Sequence, residues 1–129
     1  MVLVDTSVWI EAFRKSRPLR IESVVDPDDI VTCLFVIQEV LQGFRDEAAF
    51  RTAREAMFSF PVLDSPVPRS VFEDAAALYR SARRAGVTVR SSVDCLIAAT
   101  AIRNQVEVLH RDRDFPAIAR ISSLRTRSV

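Results

Sequence analysis

Five acidic residues lie close to the predicted ends of strands or starts of helices. One of them lies on a helix that directly follows a strand. They are Asp5, Glu39, Asp94, Asp112 and Asp114. Two of the predicted strands, Val2–Val4 and 106–109, run directly or nearly directly into acids. Carboxylate oxygens are the ligands that Mg²⁺ and Mn²⁺ prefer. If the fold brings these acids together, they could hold a divalent cation.

Carboxylates that meet in a poorly hydrated cleft repel one another, which raises their pKa values and destabilises the fold. A hard divalent cation offsets this repulsion, and a water bound to Mg²⁺ can attack a substrate. Asp94 lies in the first turn of a predicted helix, where the partial positive charge of the helix N-terminus favours an ionised carboxylate. The pattern therefore favours metal-assisted hydrolysis.

Each acid also has an ordinary structural explanation. Asp5 could start a helix, Glu39 could belong to a solvated polar stripe, and Asp94 could interact with the helix dipole. Asp112 and Asp114 could form a polar turn. The combination of the five, rather than any single residue, favours a functional site.

Strands and helices alternate along the chain, which indicates an α/β fold with a mostly parallel sheet. Short apolar runs predict strands at 2–4, 30–32, 60–64 and 106–109. Amphipathic or alanine-rich patterns predict helices at about 6–14, 33–44, 46–58, 70–85 and 93–104, and a short one near Pro116. The polar tail, 122–129, is predicted to be loose. In open α/β sheets ligands gather beyond the carboxyl ends of the strands, so we expect the acids to share one edge.

Length and composition fit one compact domain that covers residues 1–129. Hydrophobic residues make up 49% of the 129 residues, and the apolar runs are too short to span a membrane. No signal segment opens the chain, so we expect a cytoplasmic protein. Cys33 and Cys95 lie in apolar segments and are interpreted as buried, reduced thiols.

Four segments resemble the acidic blocks of PIN-domain ribonucleases, in the order typical of that family. They read "VLVDTSVWIE", "IQEVLQG", "RSSVDCLIAATA" and "VLHRDRDF". Within the family they are similar to VapC toxins of bacterial toxin–antitoxin pairs. The resemblance implies a three-layer fold with a small, mostly parallel sheet flanked by helices. It also implies an endoribonuclease dependent on Mg²⁺ or Mn²⁺, a VapB-like antitoxin partner and a homodimer.

The same resemblance assigns roles to residues. It implies that Asp5, Glu39, Asp94 and Asp112 form a catalytic tetrad. Asp114 is then an auxiliary acid, and the hydroxyl of Thr6 or Ser7 lies beside the site. We expect Asp5 and Asp94 to be the most direct metal ligands. Glu39 and Asp112 would hold metal-bound waters or a second ion, and Asp114 would orient the ligands.

RNA binding requires positive charge that the acids do not provide. The net charge is only +1, although the chain has 17 Arg and one Lys. Among the basic residues beside predicted elements, Arg111 and Arg113 are the best placed to neutralise phosphates. The others considered are Arg14, Lys15, Arg17, Arg83, Arg84 and Arg90.

Several other side chains have both a chemical and a packing interpretation. His110, the only histidine, could transfer protons, but packing at a strand end is favoured. Trp9, Phe13 and Phe35 could stack on bases, but their spacing favours a core or dimer interface.

Other function classes fit the acids less well. A phosphoacceptor receiver domain needs an acidic pair at the first strand and a late lysine, whereas the only lysine is Lys15. A haloacid-dehalogenase-like phosphatase needs Asp-x-Asp after the first strand, where this chain has "DTS". A non-catalytic protein that binds metal or a partner remains an alternative, as does a solitary PIN nuclease without an antitoxin.

Overall fold

A five-stranded, all-parallel sheet forms the centre of the computed structural model, which describes all 129 residues. The strand order is β3-β2-β1-β4-β5. The strands are β1 (Val2–Val4), β2 (Ile30–Cys33), β3 (Val62–Leu63), β4 (Glu107–His110) and β5 (Thr126–Ser128). The predicted α/β class is confirmed, and the sheet is parallel throughout rather than mostly parallel.

Six helices flank the sheet. They are α1 (Thr6–Ala12), α2 (Leu34–Gln42), α3 (Glu47–Phe58), α4 (Arg69–Arg84), α5 (Ser92–Asn104) and α6 (Asp114–Ala119). Local chemistry explains their limits: Asp46 caps α3 by accepting from the Ala49 N–H, and Gly86 follows α4 with a left-handed φ of 71°. None of the six combines the length and hydropathy that crossing a membrane requires.

The core lies between the central strands and the helices packed on them. Leu3 and Val4 of β1 are fully buried, as expected for a parallel strand covered on both faces. Helix α5 is buried along much of its length, with Ile97 and Ala98 at zero exposure, and it packs against α4. Each fully buried Val, Leu or Ile side chain contributes about 1.5–3 kcal/mol of hydrophobic stabilisation. The fold therefore holds β1 and α5, which carry two of the acids, rigidly.

The chain end differs from the prediction. The tail was expected to be loose, but Thr126–Ser128 forms edge strand β5, paired with β4 at Val108, Leu109 and His110. Its residues are polar because an edge strand exposes its side chains, so no apolar pattern marks it in the sequence. The last helix begins at Asp114, two residues before Pro116, which leaves Pro116 inside the first turn where proline is tolerated.

Candidate metal centre

The carboxyl ends of β1 and β4 lie side by side and position the first acids. Val4 is paired with Leu109, and the Asp5 N–H donates to the Leu109 carbonyl at 2.9 Å. Asp5 then caps α1, because its carboxylate accepts from the Ser7 N–H at 2.9 Å. Asp112 lies two residues beyond the end of β4. Strand pairing thus brings together acids that are more than a hundred residues apart in the chain.

Three of the acids form a tight cluster beside this edge. Carboxylate oxygens of Asp94, Asp112 and Asp114 lie within 4.8 Å of one another. Asp94 comes from the first turn of α5 and Asp114 from the first turn of α6, so two helix N-termini point toward the cluster. Asp94 and Asp114 are only 5% and 3% exposed, so little water can separate their charges.

Asp114 is held firmly by the chain segment before α5. Its Oδ2 accepts from the backbone N–H groups of Arg90 and Ser91 at 3.0 and 3.1 Å. The Arg90 guanidinium also contacts Oδ1 at 3.4 Å and lies 3.6 Å from Asp112 Oδ1. The Asp114 N–H in turn donates to Asp112 at 3.0 Å. These bonds tie the two acids after β4 to the start of α5.

Glu39 reaches the same region from α2. Its Oε1 accepts a hydrogen bond from the Thr6 hydroxyl at 2.8 Å, and the side chain is half-buried. Burial raises the pKa of Glu39, and the charges of Asp5 and Asp112 add to this rise despite the opposing Thr6 bond. Glu39 therefore lies in the same electrostatic field as the other acids.

Asp5 and Asp94 differ from the other acids of the site, because each keeps one buried carboxyl oxygen without a partner. Burial is the main cause that raises the pKa of both carboxyls, and it raises the pKa of Asp94 to about 9 with the help of Asp5 and Asp112. Asp5 Oδ1 and Asp94 Oδ2 are buried without a hydrogen-bond partner. The expected preference of the α5 N-terminus for an ionised Asp94 is therefore outweighed by burial and by like charges.

Both hydroxyls after Asp5 take part in orienting the acids. Thr6 holds Glu39, whereas the Ser7 hydroxyl donates to Asp5 Oδ2. The Ser7 oxygen also accepts from the Arg111 N–H at 2.9 Å, which links α1 to the turn after β4. Both hydroxyls lie beside the acids, where the sequence analysis expected them, and each donates to a different carboxylate.

His110 has the packing position that the sequence favoured. It is 2% exposed and its ring lies 5.5 Å from that of Phe115, centroid to centroid. Burial lowers the pKa of the imidazole, so the ring is neutral at pH 7, and its Nδ1 accepts from the Asp112 N–H at 3.3 Å. His110 therefore supports the turn that carries Asp112.

The aromatic residues considered for base stacking pack against other aromatic rings. Trp9 is 4% exposed and its ring lies 5.9 Å from Phe13 and 5.4 Å from Phe60. Phe35 lies edge-to-face with Phe72, which is 50% exposed. Cys33 and Cys95 are buried free thiols, as predicted.

Arg90 has a role in the site that the sequence did not reveal. The sequence predicted it only as a phosphate contact, whereas its guanidinium pairs with Asp112 and Asp114. Asp114 lies 24 residues further along the chain, so no local pattern could have identified the pair. The guanidinium of Arg111, one of the two preferred phosphate contacts, lies 3.9 Å from the Glu11 carboxylate.

The donor set fits a hard divalent cation. The cluster of Asp94, Asp112 and Asp114 offers carboxylate oxygens only, and the Arg90 guanidinium lies beside it. Two buried oxygens have no hydrogen-bond donor, one on Asp94 and one on Asp5, which is not a member of that cluster. Oxygen-only sets of this kind select Mg²⁺ or Mn²⁺ rather than zinc, which takes His and Cys. A cation would supply the positive charge that Asp5 and Asp94 lack.

Comparison with protein families places this arrangement in a known group. Residues 2–121 match the family model described as PIN domain. The chain is 40% identical over 134 aligned positions to a VapC ribonuclease of Mycobacterium bovis and to ribonuclease VapC11 of Mycobacterium tuberculosis. Each alignment covers 99% of this chain and 98% of the relative.

Solved structures have the same fold. The VapBC-5 structure from Mycobacterium tuberculosis, a member of the VapBC family of toxin–antitoxin systems, superposes with a TM-score of 0.73 at 25% identity, covering 98% of this chain and 97% of that chain. A DNA-bound VapBC from Salmonella typhimurium has a TM-score of 0.78 at 17% identity, covering 98% and 96%. The second likeness concerns the fold alone.

Proposed function

The chain belongs to the PIN-domain family, and from that premise we propose that it is the endoribonuclease toxin of a VapBC-type toxin–antitoxin pair. It is 40% identical to VapC ribonucleases over nearly its whole length. The proposal takes residues 1–129 as a single PIN domain. The observation that carries it is the set of acids beside the carboxyl ends of β1 and β4. Asp94, Asp112 and Asp114 form a cluster there, and one buried oxygen of Asp94 and one of nearby Asp5 have no hydrogen-bond partner.

Mg²⁺ is the cation we assign to these acids, with Mn²⁺ as a substitute. We assign Asp5 and Asp94 as its direct ligands, because their free oxygens have no other source of positive charge. Glu39 and Asp112 would hold metal-bound waters or a second ion, and Asp114 would orient the set. When bound, the cation would activate a water and offset charge that develops on the phosphoryl oxygens.

The chain's own residues keep the acids in position. Ser7 fixes one oxygen of Asp5 and leaves the other free, and Thr6 turns Glu39 toward the same cleft. Arg90 fixes Asp114 through its backbone N–H and its guanidinium, and the guanidinium also pairs with Asp112. Such preorganisation means that little reorganisation is required when a phosphodiester binds.

The proposed substrate is RNA, and the proposed partner is a VapB-like antitoxin. The structural relatives include VapBC toxin–antitoxin proteins, which supports a protein inhibitor for this chain as well. We expect action in the cytoplasm, where RNA is found. A homodimer, implied by the family resemblance, stays a prediction that sedimentation of the purified chain tests. Copurification of a small protein encoded by a neighbouring reading frame distinguishes a toxin from a solitary nuclease.

Substitution Asp5→Asn tests the assignment directly. We expect the variant to fold and to lose cleavage of a structured RNA in Mg²⁺, because the amide removes a charged ligand and keeps the shape. The matched control is Asp74→Asn, an exposed carboxylate on α4 that should leave cleavage intact. Wild-type cleavage that EDTA does not stop, or full activity of Asp5→Asn, would contradict the proposal. Metal binding without cleavage by the wild type would favour the non-catalytic alternative.

A further inference from the structure

An open cavity of about 390 Å³ lies directly beside the acid cluster. Its walls include three arginines, which are Arg90, Arg113 and Arg120. Asp114 lines the same cavity, but its oxygens are occupied by Arg90 and Ser91. The volume lies in the range of sites that hold small ligands. The cavity therefore combines positive charge with direct access to the candidate metal centre.

Two of the three guanidinium groups have no partner in the chain. Arg113 and Arg120 are exposed, and neither forms an ion pair within 4.0 Å or a side-chain hydrogen bond. Eight other arginines of the chain do form ion pairs with acids, including Arg111 with Glu11. Arginine forks match the oxygens of phosphate groups. The free pair thus presents unused donors to one cavity.

A second cavity continues the first away from the acids. It has a volume of about 290 Å³ and shares Gly86, Val87 and Thr88 with the first. Its wall carries Tyr79, which is 37% exposed, with the Arg83 guanidinium 5.1 Å from the ring centre. Surfaces that bind single-stranded nucleic acid typically combine basic groups along the nucleic-acid backbone with an accessible aromatic ring.

We propose that these two cavities form one groove for single-stranded RNA beside the cut phosphate. Arg90, Arg113 and Arg120 would bind backbone phosphates, and Tyr79 would stack on a base further along. The inference rests on the proposed function. RNA is favoured over an acidic protein segment because Arg90 contacts Asp112 and Asp114, so the groove opens onto the proposed site of cleavage. The local charge matters because the whole chain has a net charge of only +1.

The test measures RNA binding apart from cleavage. A fluorescent, mixed-sequence single-stranded RNA is titrated with the Asp5→Asn chain, alone or combined with Arg113→Gln and Arg120→Gln, at several salt concentrations. We expect the double Arg variant to bind roughly tenfold more weakly, with a salt slope smaller by about 1.4, since each lost phosphate contact on a single strand removes about 0.7. The charge-matched control, Arg51→Gln with Arg69→Gln, alters exposed arginines outside the groove and should bind like the parent.

Tyr79 is tested in the same assay. Tyr79→Ala should weaken binding about fivefold or more, because base stacking on an aromatic ring is lost, whereas Tyr79→Phe should bind like the parent. Equal weakening by the groove variant and its charge-matched control would overturn the proposal, as would an unchanged salt slope.

Wild-type cleavage, measured separately, distinguishes the two proposals. Cleavage together with unchanged RNA affinity of the groove variant would overturn the groove and leave the function standing. Weaker RNA binding by the groove variant without any wild-type cleavage would support the groove and refute the nuclease. If the variant keeps its RNA affinity but loses binding of a hexa-aspartate peptide, the groove binds an acidic protein segment and the RNA proposal is overturned.

Discussion

The first turns of α5 and α6 present two aspartates to the same cluster in opposite electrostatic conditions. Asp114, at the start of α6, is 3% exposed and accepts hydrogen bonds from Arg90 and Ser91. Asp94, in the first turn of α5, is 5% exposed, has a buried oxygen without a partner, and has its pKa raised to about 9. The same residue type in the first turn of a helix is therefore satisfied by the chain in one case and keeps a buried oxygen without a partner in the other.

The difference separates structural acids from acids reserved for a ligand. Buried carboxylates are normally paired or hydrogen-bonded, since an isolated buried charge is costly. Asp114 follows that rule through the chain itself. Without a cation, burial favours the protonated form of Asp94 and, in the same direction, of Asp5. A bound cation would instead stabilise the ionised carboxylates, and this preference is the physical basis of the proposed metal binding.

The largest expected effect comes from Asp94→Asn. The variant should lose more than about 100-fold of the RNA cleavage rate, because residues that merely orient metal ligands already cost about 10–100-fold. The buried Asp94 carboxyl must take up a proton when the metal-free chain folds at neutral pH, and Asn need not, so the variant should also have a higher melting temperature without metal. Cleavage rates and thermal melts with and without Mg²⁺ check both effects. A variant that melts lower than wild type in EDTA would contradict the comparison.

Asp114→Ala should affect the fold as well as activity. It leaves the Arg90 and Ser91 N–H groups without an acceptor, which costs about 1–3 kcal/mol of unfolding free energy for each buried group that stays unsatisfied. Activity should fall about 10–100-fold, as for residues that orient metal ligands. Urea unfolding and cleavage assays measure the two losses. Asp114→Asn, which keeps an acceptor oxygen, serves as the control and should be the milder change in stability.

Thr6→Val tests the link between Glu39 and the cluster. Valine keeps the shape and removes the hydroxyl that donates to Glu39 at 2.8 Å. We expect about a tenfold loss of activity, at the low end for residues that orient ligands, and a fold that survives. Thr52→Val, which removes an exposed hydroxyl bonded to the Ala48 carbonyl in α3, is the control. Equal activity of the two variants would show that Glu39 needs no positioning.

The last expected effect is a pH dependence of the stability of the metal-free chain. Because the folded-state pKa of Asp94 is raised from 3.8 to about 9, the folded chain binds more protons than the unfolded chain between these values. Stability should therefore fall as pH rises through this window, and each kcal/mol lost lowers the melting temperature by about 3–5 °C.

Comparison with Asp94→Asn isolates this contribution. His110 acts in the opposite direction, since its lowered pKa removes stability as pH falls below about 6.5. That contribution is common to both chains and cancels in the difference. In EDTA, the wild type should lose more stability than Asp94→Asn between pH 5 and pH 8.5, and Mg²⁺ should reduce the difference. Parallel melting curves would refute the raised pKa.

Much of the fold could be predicted because its signals are local. The apolar run of β1, the alanine-rich α4 and helix α5 all lie within a few residues of their predicted limits. Strand β5 could not be predicted in the same way. It is stabilised by backbone bonds to β4, such as the Val129 N–H to the His110 carbonyl at 3.0 Å, and these leave no trace in residue type.

By itself, the sequence determined which acids exist and that β1, β4 and α5 would carry Asp5, Asp112 and Asp94 toward one sheet edge. Only the tertiary structure decided that the chain satisfies Asp114 and leaves oxygens of Asp5 and Asp94 without donors. The reason is physical: helix and strand patterns depend on neighbours in the chain, whereas burial, hydrogen bonding and charge depend on neighbours in space. Arg90 and Asp114 lie 24 positions apart in the sequence, and only the tertiary fold brings their side chains into contact.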